Sequence, residues 1–359
     1  MKKLLKMSKT SKQNYITYAM VLVVALIAGV MDATGNMSSL MSGLLVPVCA
    51  YVILAVALNL CVGILGELSI GHAGFMCVGA FVSAFFSKLM ASTIPVAWIR
   101  FTLALILGVG FSALIGFLIG LPVLRLKGDY LAIVTLAFGE IIKNVAAVLY
   151  VGRDSKGLHF SLQDTMSLGL EKDGEVIIKG AQGITGTPND SNFVIGVILV
   201  LVTLIIVNNL VNSRDGRAIM AIRDNLIAAE SVGINITKYK LIAFSISAAL
   251  SGIAGVLYAH NLNTLMSTSK NFGYNMSIMI LVYVVLGGIG NIRGSVFAAA
   301  LLVILPELLR FLNDYRMLIY AVILIVVMLF NWAPSALAFR EKVKAKWKKT
   351  PDSTKKEVA

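Results

Sequence analysis

The chain has 359 residues, of which 58% are hydrophobic and only 14% are charged. An ordinary soluble domain is about 45–50% apolar and about 25% charged, so this composition argues against a soluble globular fold and against a disulfide scaffold. The net charge of +13 does not indicate a nucleic-acid partner, because the basic residues lie beside apolar runs, as is typical of membrane proteins.

Apolar runs of a length suited to membrane-spanning helices recur along the chain. The eighth run is short and predicts a broken or re-entrant helix. The predicted fold class is therefore all-α, a polytopic membrane protein with about ten transmembrane helices. The predicted spans are residues 15–31, 44–65, 70–90, 101–124, 130–151, 192–211, 241–259, 277–289, 294–312 and 316–332.

Charge predicts the topology of these spans. Basic tails at 1–14 and 335–359 flank a transmembrane domain at 15–334. We expect this domain in the plasma (inner) membrane, with both tails on the cytoplasmic side. Two cytoplasmic tails require an even number of membrane crossings, which ten spans satisfy. Counting the spans then places the loop at 152–191 outside and the stretch at 212–240 inside. The external loop has four basic and six acidic residues, which agrees with this orientation, and turn residues at 173–174 predict a hairpin there.

Glycines and polar residues cluster at membrane depth in two places. Two explanations stay open: close helix packing through small residues, or interrupted helices whose backbone groups line a solute path. The candidate residues for such a path are Asn59, Gly66, Glu67, Ser69, His72, Glu140, Gly287, Gly288 and Gly290.

Ionisable groups inside the spans are costly, at about 2.5–3.5 kcal/mol each near mid-bilayer. Glu140 and Lys143 are three residues apart on one helix, and we expect them to pair. Glu307 follows Pro306, which predicts a kink beside a buried carboxylate. His72 is expected to be a packed, hydrogen-bonded imidazole and not a metal ligand.

The stretch at 216–234 has the apolar period of an amphipathic helix. Ile219, Ile222, Leu226 and Ala229 recur at steps of three and four residues, and Gly233 can form a left-handed C-cap. This helix could lie on lipid headgroups or seat in a groove on a partner protein.

Catalytic motifs are missing from the sequence. The chain contains no Gly-Lys dipeptide, so it has no P-loop, and it has no HExxH or GxSxG motif. Its three cysteines, Cys49, Cys61 and Cys77, lie in apolar runs without metal-ligand spacing. We therefore expect no enzyme activity, no metal site and no cofactor bound by this chain.

Several segments together resemble LivM-type permease subunits of ABC importers for branched-chain amino acids. They occur in the family's order between about residues 44 and 330. They are 124–142 (LRLKGDYLAIVTLAFGEII), 183–189 (GITGTPN), 216–233 followed by 243–255 (AFSISAALSGIAG), and 286–295 (LGGIGNIRGS).

The resemblance implies several partners: a homologous second permease subunit, two cytoplasmic ATPase subunits that hold ATP and Mg, and an extracytoplasmic solute-binding protein. It also implies a coupling helix that docks on an ATPase. The residues expected there are Arg217, Ile219, Ile222, Arg223, Leu226, Ala229, Glu230 and Gly233. One departure is that Ile227 stands where the wider importer motif has Glu.

The predicted function is translocation of leucine, isoleucine and valine, driven by ATP that a partner hydrolyses. A permease for urea, short amides or other amino acids is an alternative within the family. An ion-coupled transporter with Glu67, Glu140 or Glu307 as proton carrier, and an intramembrane enzyme built on His72 and Glu67, are alternatives of other classes.

Overall fold

The structure is a computed structural model that describes residues 9–126, 128–170, 174–310 and 315–332. Two compact units are present, Met1–Val303 and Ile304–Ala359. The predicted tail at 335–359 and residues 1–8 of the predicted N-terminal tail lie outside the described residues. Residues 9–14 were also predicted as tail, but they form the first turns of a helix that begins at Lys9.

The described residues are mostly helical. The helix α2 continues without interruption into a π-helix at Leu60–Leu65, and α12 crosses the boundary between the two units. The helices are α1 (Lys9–Ala33), α2 (Ser39–Asn59), α3 (His72–Met90), α4 (Ala97–Val123), α5 (Asp129–Val148), α6 (Phe193–Asn212), α7 (Arg214–Asp224), α8 (Leu226–Ser231), α9 (Ile236–Ala259), α10 (Ser269–Phe272), α11 (Tyr274–Gly287), α12 (Ile292–Leu308) and α13 (Arg316–Trp332).

Seven described helices are long and apolar enough to cross a membrane, so the chain is polytopic. They are Tyr15–Ala33, Ser39–Leu65, His72–Met90, Ala97–Val123, Asp129–Val148, Phe193–Asn212 and Ile236–Ala259. The predicted count of about ten is not confirmed, because the last three predicted spans correspond to helices of 14, 17 and 17 residues. The shortness expected of the eighth span is confirmed in α11.

A small antiparallel sheet makes the all-α prediction too narrow. Its strands are β1 (Tyr150–Asp154), β2 (Gly157–Ser161), β3 (Glu175–Lys179), β4 (Ile184–Thr185) and β5 (Thr264–Leu265), in the order β2-β1-β3-β4-β5. Its hairpin turns at Asp154–Gly157, whereas the predicted turn at 173–174 immediately precedes β3 and includes a residue outside the described set. Because the sheet joins α5, α6 and α9, their adjoining ends are called the sheet end.

The opposite end of α6 and α9 carries α7 and α8 and is called the loop end. The core of the first unit is α9, which packs against α2, α3 and α4. Glycines permit this contact: a Cβ at Gly255 would lie 2.1 Å from Met76 O, and one at Gly79 would lie 2.5 Å from Gly252 O. Close helix packing therefore accounts for this group of small residues.

Candidate functional site

The two glycine clusters meet at the loop end. Asn59, which is fully buried, accepts a hydrogen bond on Oδ1 from Gly290 N (2.8 Å) and donates from Nδ2 to Ser295 Oγ (2.8 Å). A Cβ at Gly63 would lie 2.3 Å from Gly290 N, so only glycine permits this approach. The π-helix and the turn before α12 are thus held together by one amide side chain.

Both clusters also interrupt helices, as one of the two open explanations requires. Gly66 has φ +83° and ends the π-helix, and residues 66–71 are not helical. Gly288 (φ +95°) and Gly290 (φ +78°) form the turn after α11, and a Cβ at Gly294 would overlap Gly287 O. Left-handed backbone at these positions favours glycine.

Two cations reach this interruption from elements distant in sequence. Arg223 Nη1 donates a hydrogen bond to Gly63 O at 2.9 Å. Its aliphatic stem packs against Gly66, where an added Cβ would lie only 2.5 Å from Arg223 Cγ. Lys240 Nζ pairs with Glu67 Oε1, and the two side chains are only 8% and 15% exposed. These five residues are called the loop-end cluster.

His72 sits in a separate buried layer between α3, α2 and α9. Its Nε2 lies 2.7 Å from Ser247 Oγ, and its Nδ1 lies 3.2 Å from Ser69 Oγ. Because Ser247 donates its own proton to Ala57 O (2.6 Å), it must accept from His72 Nε2–H, which leaves Nδ1 to accept from Ser69. The imidazole is packed and hydrogen-bonded, as predicted. Among the described residues no group of acidic, His and Cys side chains could hold a metal.

Glu140 bonds to residues outside the set of candidate path residues. Lys143 Nζ donates to its Oε2 at 2.5 Å and also to Ser269 Oγ at 3.1 Å, so the predicted pair is confirmed. Glu140 Oε1 accepts from Tyr274 N at 2.6 Å, at the first residue of α11. The pair therefore fixes the start of a half-length helix, where a carboxylate is favoured.

The predicted amphipathic helix at 216–234 is two helices, α7 and α8. Asn225 has extended backbone (φ −156°, ψ 105°), and its Oδ1 caps α8 by accepting from Ala228 N at 3.0 Å. A capping side chain thus competes successfully with helix continuation at this residue. The left-handed C-cap at Gly233 is present (φ +84°), with its N–H donating to Glu230 O at 3.0 Å.

The periodic apolar residues of this segment face their own chain. Ile219, Ile222 and Ala229 are 0%, 3% and 3% exposed, and α7 packs against the π-helix, α6 and α9. Leu226 is half-buried, whereas Arg217, Glu230 and Gly233 are exposed. The sequence pattern missed the outward apolar residues Ile227 (78% exposed) and Val232 (75% exposed), which lie outside the apolar period.

Several further contact residues could not be predicted from the sequence, because each lies far along the chain from the residue that it contacts. No sequence signal pointed to the contact that each makes. They are Gly63, Lys240, Ser247, Ser269, Tyr274 and Ser295.

Comparison with known proteins gives these contacts a context. The profile of a family described as "Branched-chain amino acid transport system / permease component" matches residues 40–328. The permease protein LivM of Salmonella typhimurium is 35% identical over 298 residues, covering 80% of this chain and 67% of LivM. LivM of Escherichia coli is 33% identical over 302 residues, with the same coverage.

The permease protein LivH of Salmonella typhimurium is more distant, at 23% identity over 286 residues, covering 78% of this chain and 88% of LivH. No solved structure matches the chain. The profile matches more than half of the chain, and two relatives are more than 30% identical to it, which shows homology. The chain therefore belongs to the family of permease components of branched-chain amino acid transport systems.

Proposed function

We propose that this chain is a membrane-spanning subunit of an ABC importer for leucine, isoleucine and valine, with the loop end in the cytoplasm and the sheet end outside. LivM and LivH relatives, both named as permease proteins of high-affinity branched-chain amino acid transport systems, support pairing with a homologous second permease subunit. Two ATPase subunits would hold ATP and Mg, and an extracytoplasmic protein would deliver the solute. Both termini would be cytoplasmic, in the plasma (inner) membrane.

The observation that carries this proposal is the loop-end cluster. Arg223 belongs to the segment expected to meet the ATPase, yet it bonds to the backbone of the interrupted helix at Gly63. Lys240, just after that segment, pairs with Glu67 in the interruption itself. A displacement of α7 and α8 would therefore act directly on the interrupted helices. The driving free energy would enter because the ATPase docks differently in its two states.

The path beside these helices would be mostly apolar, which suits aliphatic side chains. Asn59, Ser69 and His72 are buried and are hydrogen-bonded to groups of their own chain. Backbone carbonyls at Gly66, Gly287, Gly288 and Gly290 would remain to meet the ammonium end of the zwitterion briefly, as in other interrupted helices, whereas the N–H of Gly290 already donates to Asn59. Specificity could reside in the solute-binding protein.

The three carboxylates considered as proton carriers each have a cationic partner. Glu67 pairs with Lys240, Glu140 with Lys143, and Glu307 with Arg310 at 3.0 Å. Each carboxylate therefore belongs to an ion pair within its own chain, and this accounts for its presence without a role in proton transport. Uptake that persists after ATP depletion but collapses with an uncoupler would nevertheless overturn the ABC assignment.

Ile227 and Val232 are the apolar side chains that remain available to an ATPase. We expect the double variant Ile227→Asp, Val232→Asp to lose co-purification with the ATPase in mild detergent, because charges would replace apolar contacts at an interface. Met166→Asp is the matched control, since Met166 is 90% exposed at the sheet end. Retention of the ATPase by the double variant would contradict this docking surface, and the absence of any co-purifying ATPase from the wild type would contradict the proposed function.

A further inference from the structure

Two adjoining cavities of opposite character lie where α9 begins at the loop end. The first, of 620 Å³, is an open groove along α4 and α9 with mainly apolar walls, including Phe117, Leu241, Ile242 and Ile246. The second, of 430 Å³, is polar and includes Arg125, Glu230 and Lys240 in its lining. Asn235 and Thr237 line both cavities, so the two form one elongated site with a polar head and an apolar tail.

The polar end of this site suits an anion. Arg125 is exposed beside the second cavity, and Lys238 is exposed at the rim of the first. The first turn of α9 adds the backbone N–H groups of Ile236 and Thr237, since that of Lys238 already donates to the capping Oδ1 of Asn235 at 3.0 Å, and the helix dipole there favours negative charge. Glu230 opposes this preference, and Lys240 is already paired with Glu67. Arg125 and Lys238, which form no ion pair with the residues that the structure describes, supply the positive charge, and Lys238 Nζ also lies 5.9 Å from the Tyr239 ring centroid.

The apolar end contains one polar atom that lacks a partner. Ser245 lines the groove, and its Oγ is buried without a hydrogen bond to any group in the described part of the chain. A buried hydroxyl without a partner is costly. This oxygen has no exposed surface in the groove, so a ligand would reach it only after the side chain rotates. An ester carbonyl entering the groove beside an acyl chain would then accept its proton.

We propose that this site binds one anionic phospholipid, with the phosphate headgroup between Arg125 and Lys238 and an acyl chain along the groove past Ser245. A free phosphate ion would leave the apolar groove unfilled, and a lipid without net charge would gain less from the two cations. The site lies at the ends of the candidate membrane spans Ala97–Val123 and Ile236–Ala259, where lipid headgroups are expected.

The bound lipid would also contact α8, which belongs to the segment expected to dock on an ATPase. Leu226, Glu230 and Ile234 line the polar cavity together with residues 124–126 that follow α4. A bound headgroup would therefore brace α8 against the end of α4. This consequence rests on the proposed function, whereas the binding itself does not.

The test measures lipid retained by the purified full-length chain. Native mass spectrometry would follow exposure to equal amounts of phosphatidylglycerol and phosphatidylcholine micelles and exhaustive washing. We expect Arg125→Gln and Lys238→Gln each to lower phosphatidylglycerol retention about fivefold, because one surface cation contributes about that factor. Arg214→Gln is the matched control: it removes a positive charge from the same face but lies outside both linings, and retention should not change.

A second variant tests the apolar end. Ser245→Trp would fill the groove and should abolish retention of phosphatidylglycerol while the thermal midpoint shows that the chain stays folded. Equal loss in Arg125→Gln and Arg214→Gln would overturn the proposal, because it would indicate a diffuse basic surface. Displacement of the lipid by glycerol phosphate, or undiminished retention by Ser245→Trp, would overturn it as well. None of these outcomes depends on transport, so the proposed function is tested separately.

Discussion

The most buried ion pair of the described residues at each end of the helices has a different geometry. At the sheet end, Asp190 accepts two hydrogen bonds from Arg100, at 2.8 Å from Nε and 2.6 Å from Nη2, and Arg100 Nη1 also donates to Ile94 O at 3.1 Å. At the loop end, Lys240 offers Glu67 a single ammonium. Two parallel hydrogen bonds from a guanidinium fix the direction in which the carboxylate lies. An ammonium on a flexible side chain lets the carboxylate rotate while the ion pair persists. The comparison indicates a buried pair of fixed direction at the sheet end and a buried pair that can rotate at the loop end.

The largest expected effect is at the sheet end. Asp190→Asn removes the charge opposite Arg100, and both side chains are under 10% exposed. Breaking a buried pair in this way costs about 3–5 kcal/mol, which should appear as a large drop in the thermal midpoint of the purified chain. Glu175→Gln is the control, because its pair with Lys88 is at the same end but Glu175 is 71% exposed. Equal shifts in both variants would contradict a specially fixed sheet end.

Lys240→Met tests the loop end in the same assay. Glu67 would lose its cation but, at 15% exposed, would keep some access to water, so we expect a cost of about 2 kcal/mol. The double variant Glu67→Gln, Lys240→Met should recover most of the lost stability, because replacing both partners of a buried pair is often nearly neutral. A cost for Lys240→Met equal to that of Asp190→Asn would remove the distinction between the two ends.

Gly66→Ala probes the interruption without changing charge. A left-handed backbone costs an L-residue about 1–2 kcal/mol, and Arg223 must also move to make room for the Cβ. Gly35→Ala is the matched control, since it has φ +70° with open space around it. We expect Gly66→Ala to reduce leucine uptake in membrane vesicles at normal expression, while Gly35→Ala leaves uptake unchanged. Uptake that is equal in the two variants would argue against a role for the Arg223 contact.

The smallest expected effect is a pH response at the sheet end. His260 follows the last residue of the span Ile236–Ala259 and is fully buried, and its Nε2 contacts Ser87 Oγ at 2.8 Å. Burial lowers the pKa of His260 from 6.5. Since the unfolded chain then binds the proton more tightly, stability is complete above about pH 6.5 and falls as the pH drops below it. The thermal midpoint should decline from pH 7 to pH 5, and His260→Gln should reduce that decline; an unchanged slope would contradict this assignment.

Local sequence pattern predicted the features that depend on neighbouring residues. The long spans around α2, α3, α4, α5, α6 and α9 were predicted because each contains an apolar run long enough to cross a membrane. The pairing of Glu140 with Lys143 was predicted because one helix turn joins them. The break at Asn225 was missed, since its capping hydrogen bond competes with an apolar period that continues across it.

The amino-acid sequence by itself determined that the chain is an apolar, polytopic permease-like protein, because hydrophobic length and family motifs are local properties. Tertiary structure alone decided which groups meet across the chain. Arg223 reaches Gly63, Lys240 reaches Glu67, and Asn59 reaches Gly290 only after helices more than 150 residues apart pack together. Such contacts form only when glycines let two backbones approach closely in the folded chain. The order of residues along the sequence does not indicate which backbones approach each other.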